Sequence, residues 1–371
     1  MADGKTVHVV FARGGKIEYR RSEDCGVSWG HTVSLTSGGA AQCPCSLELS
    51  GQTLHLIWPD SRNGTWEMYY KRSRDAGKTW GEDARLTPGV DLFRLGTAVS
   101  GTNVHAAWGS RSLLEKVPVT GWTWTWGEIY YKRSTDDGAT WEKDVRLTQP
   151  DASAMRPGIA VSGQYVHVAW FDRRDAKRIP GYDWDIYYKR STDGGATWGP
   201  DVRMSRTPEH SRHPQVVATA GGTVCCIWED GQVLAGSRMV GDPALYAAVS
   251  RDNGGTWGKP QRITYVNAPG GFATHPKAYA CGARVHLVWT DSPEGIGRPS
   301  AAYYMTSPDG GLTWGEPERL TSASDGECGG AAVGGTESYA IVLIGISDTL
   351  CYRRRNTGAP APATGSAQRG Q

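Results

Sequence analysis

Arg94, Arg156, His213 and His275 occupy comparable places in successive stretches of the chain, each ahead of a tryptophan in an apolar segment: Trp108, Trp170, Trp228 and Trp289. Registering the stretches on these tryptophans, with one extra residue allowed before Trp228, makes the four basic residues equivalent. Arginine keeps its charge and presents a planar fork that fits a carboxylate, so such a set is a candidate site for an acidic ligand. A salt-bridged lining is the other use for the same residues. Arg212 beside His213, and Arg111 after Ser110, add to the positive character.

Acids follow the same kind of tryptophan in Trp58-Pro59-Asp60, Trp170-Phe171-Asp172, Trp228-Glu229-Asp230 and Trp289-Thr290-Asp291. Arg62, the Arg173-Arg174 pair and Arg298 stand near three of them, which favours ion-paired loop anchors over catalysis. Aromatic residues complete the set. An insert at 111–127 carries Trp122, Trp124 and Trp126, and another at 175–184 carries Tyr182 and Trp184. Their faces suit stacking on sugar rings or ligand cations, and packing against neighbouring strands equally.

The elements that hold these residues repeat. One pattern ends at Trp29, Trp80, Trp141, Trp198, Trp257 and Trp314, at intervals of 51, 61, 57, 59 and 57 residues. Its cleanest copies are Ser134-Thr135-Asp136-Asp137-Gly138-Ala139-Thr140-Trp141 and Ser191-Thr192-Asp193-Gly194-Gly195-Ala196-Thr197-Trp198. The intervals are long for a helical solenoid and suit a four-stranded propeller blade. In one unit, 158–162, 165–170, 185–190 and 201–204 read as four successive strands, with Asp and Gly supplying the third turn. In such a meander the opening of the first strand and the exit of the second share one end, so the basic residues, acids and inserts face the same way. The repeated turn lies at the other end.

The Ser-x-Asp-x-Gly-x-Thr-Trp repeat resembles the Asp-box, or BNR repeat, of sialidases and related propellers. The resemblance implies an all-β, sialidase-like β-propeller of four-stranded antiparallel blades, six in number, with seven as the alternative. That alternative comes from strand-like segments at 331–333, 339–344 and 349–353. One domain then spans 1–355, and the Ala- and Pro-rich 356–371 reads as a disordered tail. By the same resemblance Asp24, Asp75, Asp136, Asp193, Asp252 and Asp309 brace turns away from any active site.

Sialidases open an innermost strand with Phe/Tyr-Arg-Ile-Pro, bind the substrate carboxylate with three arginines, and use an Asp acid/base and a Tyr nucleophile activated by Glu. Phe93-Arg94-Leu95-Gly96 matches this motif in part, as does Met155-Arg156-Pro157. Carried over, the resemblance makes Arg94 the first of the carboxylate-binding arginines; Arg111, Arg156, Arg212, His213, His275, Trp124 and Tyr182, placed at the same end of their units, are the further substrate-binding candidates. The resemblance offers Asp172, Asp175 or Glu209 as acid/base, and Tyr265 as nucleophile with Glu229 or Glu294 as partner. The activity implied is hydrolysis at a terminal acidic sugar. The alternatives are a glycan-binding propeller without turnover, a hydrolase using a carboxylate pair, and a lyase using His213 or His275 with a Tyr.

Composition narrows the partners. In 371 residues there are 49 Gly, 16 Trp and 16 Tyr beside 4 Phe, the mark of turns between aromatic-bearing strands and not of a helical bundle. Forty basic against 38 acidic residues leave a net charge of +2, unlike a nucleic-acid-binding domain. No stretch approaches the roughly eighteen apolar residues of a membrane span, and the amino terminus lacks the apolar core of a signal peptide. We therefore expect a soluble monomer, with secretion or periplasmic export open for an unprocessed parent. It would take an acidic sugar or glycan and need neither metal nor cofactor. His55, His105, His167 and His286 recur inside second strands, where packing or a local hydrogen bond explains them. The eight cysteines read as free thiols, with a Cys43 or Cys45 to Cys328 disulfide as the alternative.

Overall fold

In the computed structural model the six repeats become six antiparallel sheets, the blades of an all-β propeller; each is a four-stranded meander, and in one a further strand, Arg238–Val240, pairs with the extended second strand. The structure describes residues 1–356 except 38–40, 42–44, 111–112, 117–122, 150–152, 176–183, 208, 236–237, 241–242, 265–272, 293–299, 323–324, 326–327, 337–338 and 347–348. Blade one contains Ala2–Asp3, Thr6–Arg13, Lys16–Ser22 and Val33–Ser34; blade two contains Ser46–Ser50, Thr53–Asp60, Glu67–Ser73 and Ala84–Arg85. Blade three contains Leu92–Ser100, Asn103–Ser110, Ile129–Ser134 and Val145–Arg146, with a hairpin of Leu113–Lys116 and Thr123–Trp126 inserted between its middle strands. Blade four contains Met155–Ser162, Tyr165–Asp172, Asp185–Ser191 and Val202–Arg203.

Blade five contains His210–Ala218, Val224–Ala235, Ala244–Ser250 and Gln261–Arg262; blade six contains Ala273–Cys281, Arg284–Asp291, Ala301–Ser307 and Glu318–Arg319. Among the described residues, the strand-like segments after the sixth repeat form a three-stranded sheet, Cys328–Gly335, Tyr339–Ile346 and Thr349–Asn356, and not a seventh four-stranded blade. This sheet packs Ala340, Val342 and Ile344 with Val288, Ala302 and Tyr304 of blade six.

The chain divides into two compact units, Met1–Asp183 with Tyr187–Val202, and Trp184–Ile186 with Arg203–Gln371. In each, the second strands are the core. Trp58, Trp108, Trp170, Trp228 and Trp289 are fully buried, and each indole stacks on a tyrosine of the adjacent third strand, with centroids 5.7–6.5 Å apart. His55, His105, His167 and His286 are held by local hydrogen bonds: each Nδ1 lies 2.6–2.9 Å from the hydroxyl of a third-strand tyrosine.

The repeated turns are built as their residue types require. In the third, Asp136 Oδ1 accepts from Ser134 Oγ at 2.8 Å and from the Thr140 amide at 2.8 Å, while Oδ2 accepts from Thr140 Oγ1 at 2.6 Å. Asp24, Asp75, Asp193, Asp252 and Asp309 make the same three bonds. These hydrogen bonds hold Asp75 and Asp136 well below the usual carboxylate range. Cys328 is a free, buried thiol, and Cys43 lies outside the described residues.

Candidate functional site

The four basic residues aligned by sequence share a backbone peculiarity. Arg94, Arg156, His213 and His275 have φ of 56°, 51°, 53° and 54°, the left-handed region that side-chain-bearing residues avoid. At each, the pairing between first and second strands slips: between Phe93 and Leu95, Met155 and Gly158, Arg212 and Gln215, and Thr274 and Lys277. A bulge of this kind re-aims a side chain at the cost of a ladder bond, and each left-handed residue adds about 1 kcal/mol or more of strain. Apart from Ser153, the other described non-glycine residues with positive φ all belong to Asp-box turns. The same strain therefore recurs at one position in four blades.

In the first unit, Arg94 and Arg156 share Phe93. The guanidinium carbons lie 5.5 and 6.0 Å from the centre of its ring. Gly96 explains the departure from the sialidase motif at this point. A Cβ there would stand 3.2 Å from both Pro157 O and Ile159 Cγ2, so glycine lets the first strands of blades three and four approach closely. Arg94 makes no ion pair among the described residues. Its Nε is buried without a hydrogen-bond partner, and burial alone pulls its guanidinium below the ordinary arginine range.

Asp172 is placed as an anchor. It is fully buried and accepts from Trp170 Nε1 at 2.9 Å, from the Arg174 amide at 3.1 Å, and from Arg174 Nε and Nη2 at 2.9 and 2.6 Å. Arg174 also bonds Asp201 and lies over Tyr187, 4.3 Å from the ring centre. Asp60 repeats the arrangement with Trp58, Arg62 and Asp83. Asp175 accepts a hydrogen bond from Tyr187 Oη, and Glu209 is half-buried with no hydrogen bond or ion pair among the described residues. Trp124 belongs to the inserted hairpin. Arg111, Tyr182, Tyr265, Glu294 and Arg298 lie outside the described residues.

In the second unit, Glu229 gathers two residues predicted from sequence, Arg212 and His213, together with Thr274, which was not. Its carboxylate is 0% exposed and accepts from Arg212 Nη2 at 3.1 Å, from Thr274 Oγ1, and pairs with His213 Nδ1 at 2.8 Å. His275 stacks on His213, with centroids 4.5 Å apart and planes 24° from parallel, and its Nδ1 lies 3.2 Å from Thr274 Oγ1. Burial opposes charge on Glu229, but His213, Arg212 and Thr274 outweigh it and hold the carboxyl below the usual range. A buried ionised carboxylate on Nδ1 fixes both ring orientation and tautomer, so proton transfer falls to Nε2.

The adjacent Asp230 accepts from Thr207 Oγ1, Ser211 Oγ and Trp228 Nε1, yet burial raises its carboxyl to about 6. Sequence reasoning had paired Glu229 only with a tyrosine. Its signal was visible all the same: between Trp and Asp the other units have Pro59, Phe171 and Thr290, and only blade five has a charged residue.

The BNR repeat-like domain family matches residues 14–235. No curated protein matches the chain by sequence. Among solved structures, a polysaccharide lyase is similar at 10% identity, with a TM-score of 0.61 over 96% of this chain and 89% of the other. The α-L-arabinofuranosidase of Fusarium graminearum is similar at 15% identity, TM-score 0.51, over 84% of this chain and 91% of the other. A Hadza microbial sialidase is similar at 16% identity, TM-score 0.51, over 91% and 73%. At these identities the likeness establishes the shared fold.

Proposed function

We propose that this chain, which belongs to the BNR repeat-like domain family, is a carbohydrate-active propeller that cleaves an acidic sugar chain, with His213 moving the proton. The observation that carries this reading is buried, ionised Glu229 on His213 Nδ1. A carboxylate in that place makes the imidazole a better base at Nε2. In an elimination, Nε2 takes the hydrogen from the carbon next to the sugar carboxylate. The C–H electrons form a C=C bond as the C–O bond to the leaving sugar breaks, and the departing oxygen takes up a proton. No water is consumed. Similarity in fold to a polysaccharide lyase supports the substrate class.

Arg94 and Arg156 are assigned to a sugar carboxylate, because Arg94 is a half-buried cation whose burial no described acid offsets. The same pair favours a second reading, sialidase-like hydrolysis, in which Asp175 or Glu209 serves as acid/base and Tyr265 as nucleophile. Asp172 keeps an anchoring role in both.

A product-resolved assay separates them, using an α-linked sialoside, an arabinan and a uronate-bearing polymer. Unsaturated uronate, abolished in His213→Ala, supports elimination. Released sialic acid, or uronate cleavage that persists in His213→Ala, sinks it. Binding without any product would make the chain a glycan-binding propeller.

A further inference from the structure

The third strands of blades two and three end alike, in Tyr70-Lys71-Arg72-Ser73 and Tyr131-Lys132-Arg133-Ser134. The tyrosine and arginine of this run point toward the next blade's Asp-box. Tyr70 packs edge-on against Trp141 at 5.2 Å and Arg72 bonds the Asp137 carbonyl; Tyr131 packs against Trp198 at 4.9 Å and Arg133 bonds the Gly194 carbonyl at 2.7 Å. In blade five the run is Ala247-Ala248-Val249-Ser250. Both filling side chains are truncated, and because they are two residues apart they leave space on one face of the strand.

That space is a cavity of about 470 Å³, floored by Ala247 and Val249 and reaching Gly311 in the Asp-box of blade six. Leu312, Thr256 and Gly258 also line it, and the rest of its wall is Arg251, Lys259, Gln261 and the half-buried Trp257. No acid lines it. Among the described residues, the side chains of Arg251, Lys259 and Gln261 make no hydrogen bond or ion pair, whereas Arg72 and Arg133 are bonded where they fill the equivalent space.

We infer that this cavity is a second binding site, which takes one acidic sugar ring with its carboxylate on Arg251 and Lys259 and its apolar face on Trp257. Two cations without described acids match a carboxylate, and the volume accepts a monosaccharide unit with room for its neighbour. The indole selects a ring over a bare anion. The site opens at the Asp-box end of blade five, at the opposite end of its strands from His213, and does not depend on the reaction assigned there.

Calorimetric titration of the full chain with a hexuronic acid disaccharide, its neutral hexose counterpart and inorganic sulfate tests this. The double variant Ala247→Tyr/Val249→Arg restores the side chains that fill this space in blades two and three. It should lose one uronate-binding event by at least tenfold while turnover of any substrate is unchanged. Arg251→Ala/Lys259→Ala, on the exposed rim, should show the same loss and reads the site even if the filled variant fails to fold. Unchanged binding in the variants would overturn the site, as would no binding in the parent. Sulfate or the neutral sugar binding as tightly as the uronate would overturn the acidic-sugar assignment.

Discussion

Glu229→Gln tests the proposed chemistry most directly, because it keeps the shape of a fully buried side chain and removes only its charge. The carboxylate serves His213 at 2.8 Å and Arg212 at 3.1 Å, with side-chain exposures of 11% and 22% for these two partners. Removing one member of a buried ion pair costs about 3–5 kcal/mol. The amide oxygen still accepts one hydrogen bond and both cations reach some water, so about 1–3 kcal/mol is expected here.

The effect on rate is larger than the effect on stability. General-base catalysis contributes about 100-fold to 10,000-fold, and a glutamine neither stabilises imidazolium nor enforces the tautomer. We expect kcat on a cleaved uronate polymer to fall by at least about 100-fold with KM little changed, and the basic pH dependence to move. Stability supplies an independent readout. Glu229 sits below its ordinary value in the folded state, so its contribution is present above about pH 4.3 and lost as pH falls further. Denaturant midpoints of wild type and variant should therefore differ most at pH 7 and draw together as the pH falls below about 4.3. A variant with wild-type kcat and an unmoved pH profile would refute the role given to His213.

Arg94→Gly removes both left-handed strain and a desolvated cation, so thermal unfolding should show a gain of about 0.5–1 kcal/mol while acidic-sugar affinity falls at least tenfold. Gly138→Ala, whose Cβ would stand 1.9 Å from Tyr70 Oη at a φ of 76°, should cost about 3 kcal/mol in urea unfolding; Gly163→Ala, with φ 58° and open space around it, should cost only about 1 kcal/mol. Asp291 is buried with Oδ1 unbonded among the described residues, and burial raises its carboxyl to about 6. The folded state then binds a proton more tightly than the unfolded one, so this group lowers stability as pH rises from about 4 through 6. Asp291→Asn should gain about 1–2 kcal/mol at pH 7 and nothing at pH 3, read from denaturant midpoints at the two pH values.

Repetition made much of the fold legible. An Asp-box closes its hydrogen bonds within five residues, Asp136 to Thr140 for example, so the sequence carries the turn and its spacing carries the blade. Aligning the second-strand tryptophans also found the equivalence of Arg94, Arg156, His213 and His275, which the shared bulge and left-handed φ confirm. Partnership was not legible. Arg94 and Arg156 meet on Phe93 because Gly96 lets two first strands close up, and Thr274 reaches Glu229 across 45 residues of chain. Such contacts depend on how neighbouring blades stack, and a residue's type does not state that.

The same reason separates Asp172 from Glu229. Both are acids after a buried tryptophan; the sequence offered Asp172 among the acid/base candidates and Glu229 as a partner for a tyrosine. Packing gives them different partners. Arg174, two residues on, folds back to occupy Asp172, whereas Glu229 faces the opening of its own blade's first strand, where Arg212 and His213 stand. The sequence determined the blades, their turns and which residues share an end, because those follow from short-range hydrogen bonding and a period of two. Tertiary structure alone decided which charges are neutralised and which remain for a ligand, because burial and long-range pairing set the energy of a charge.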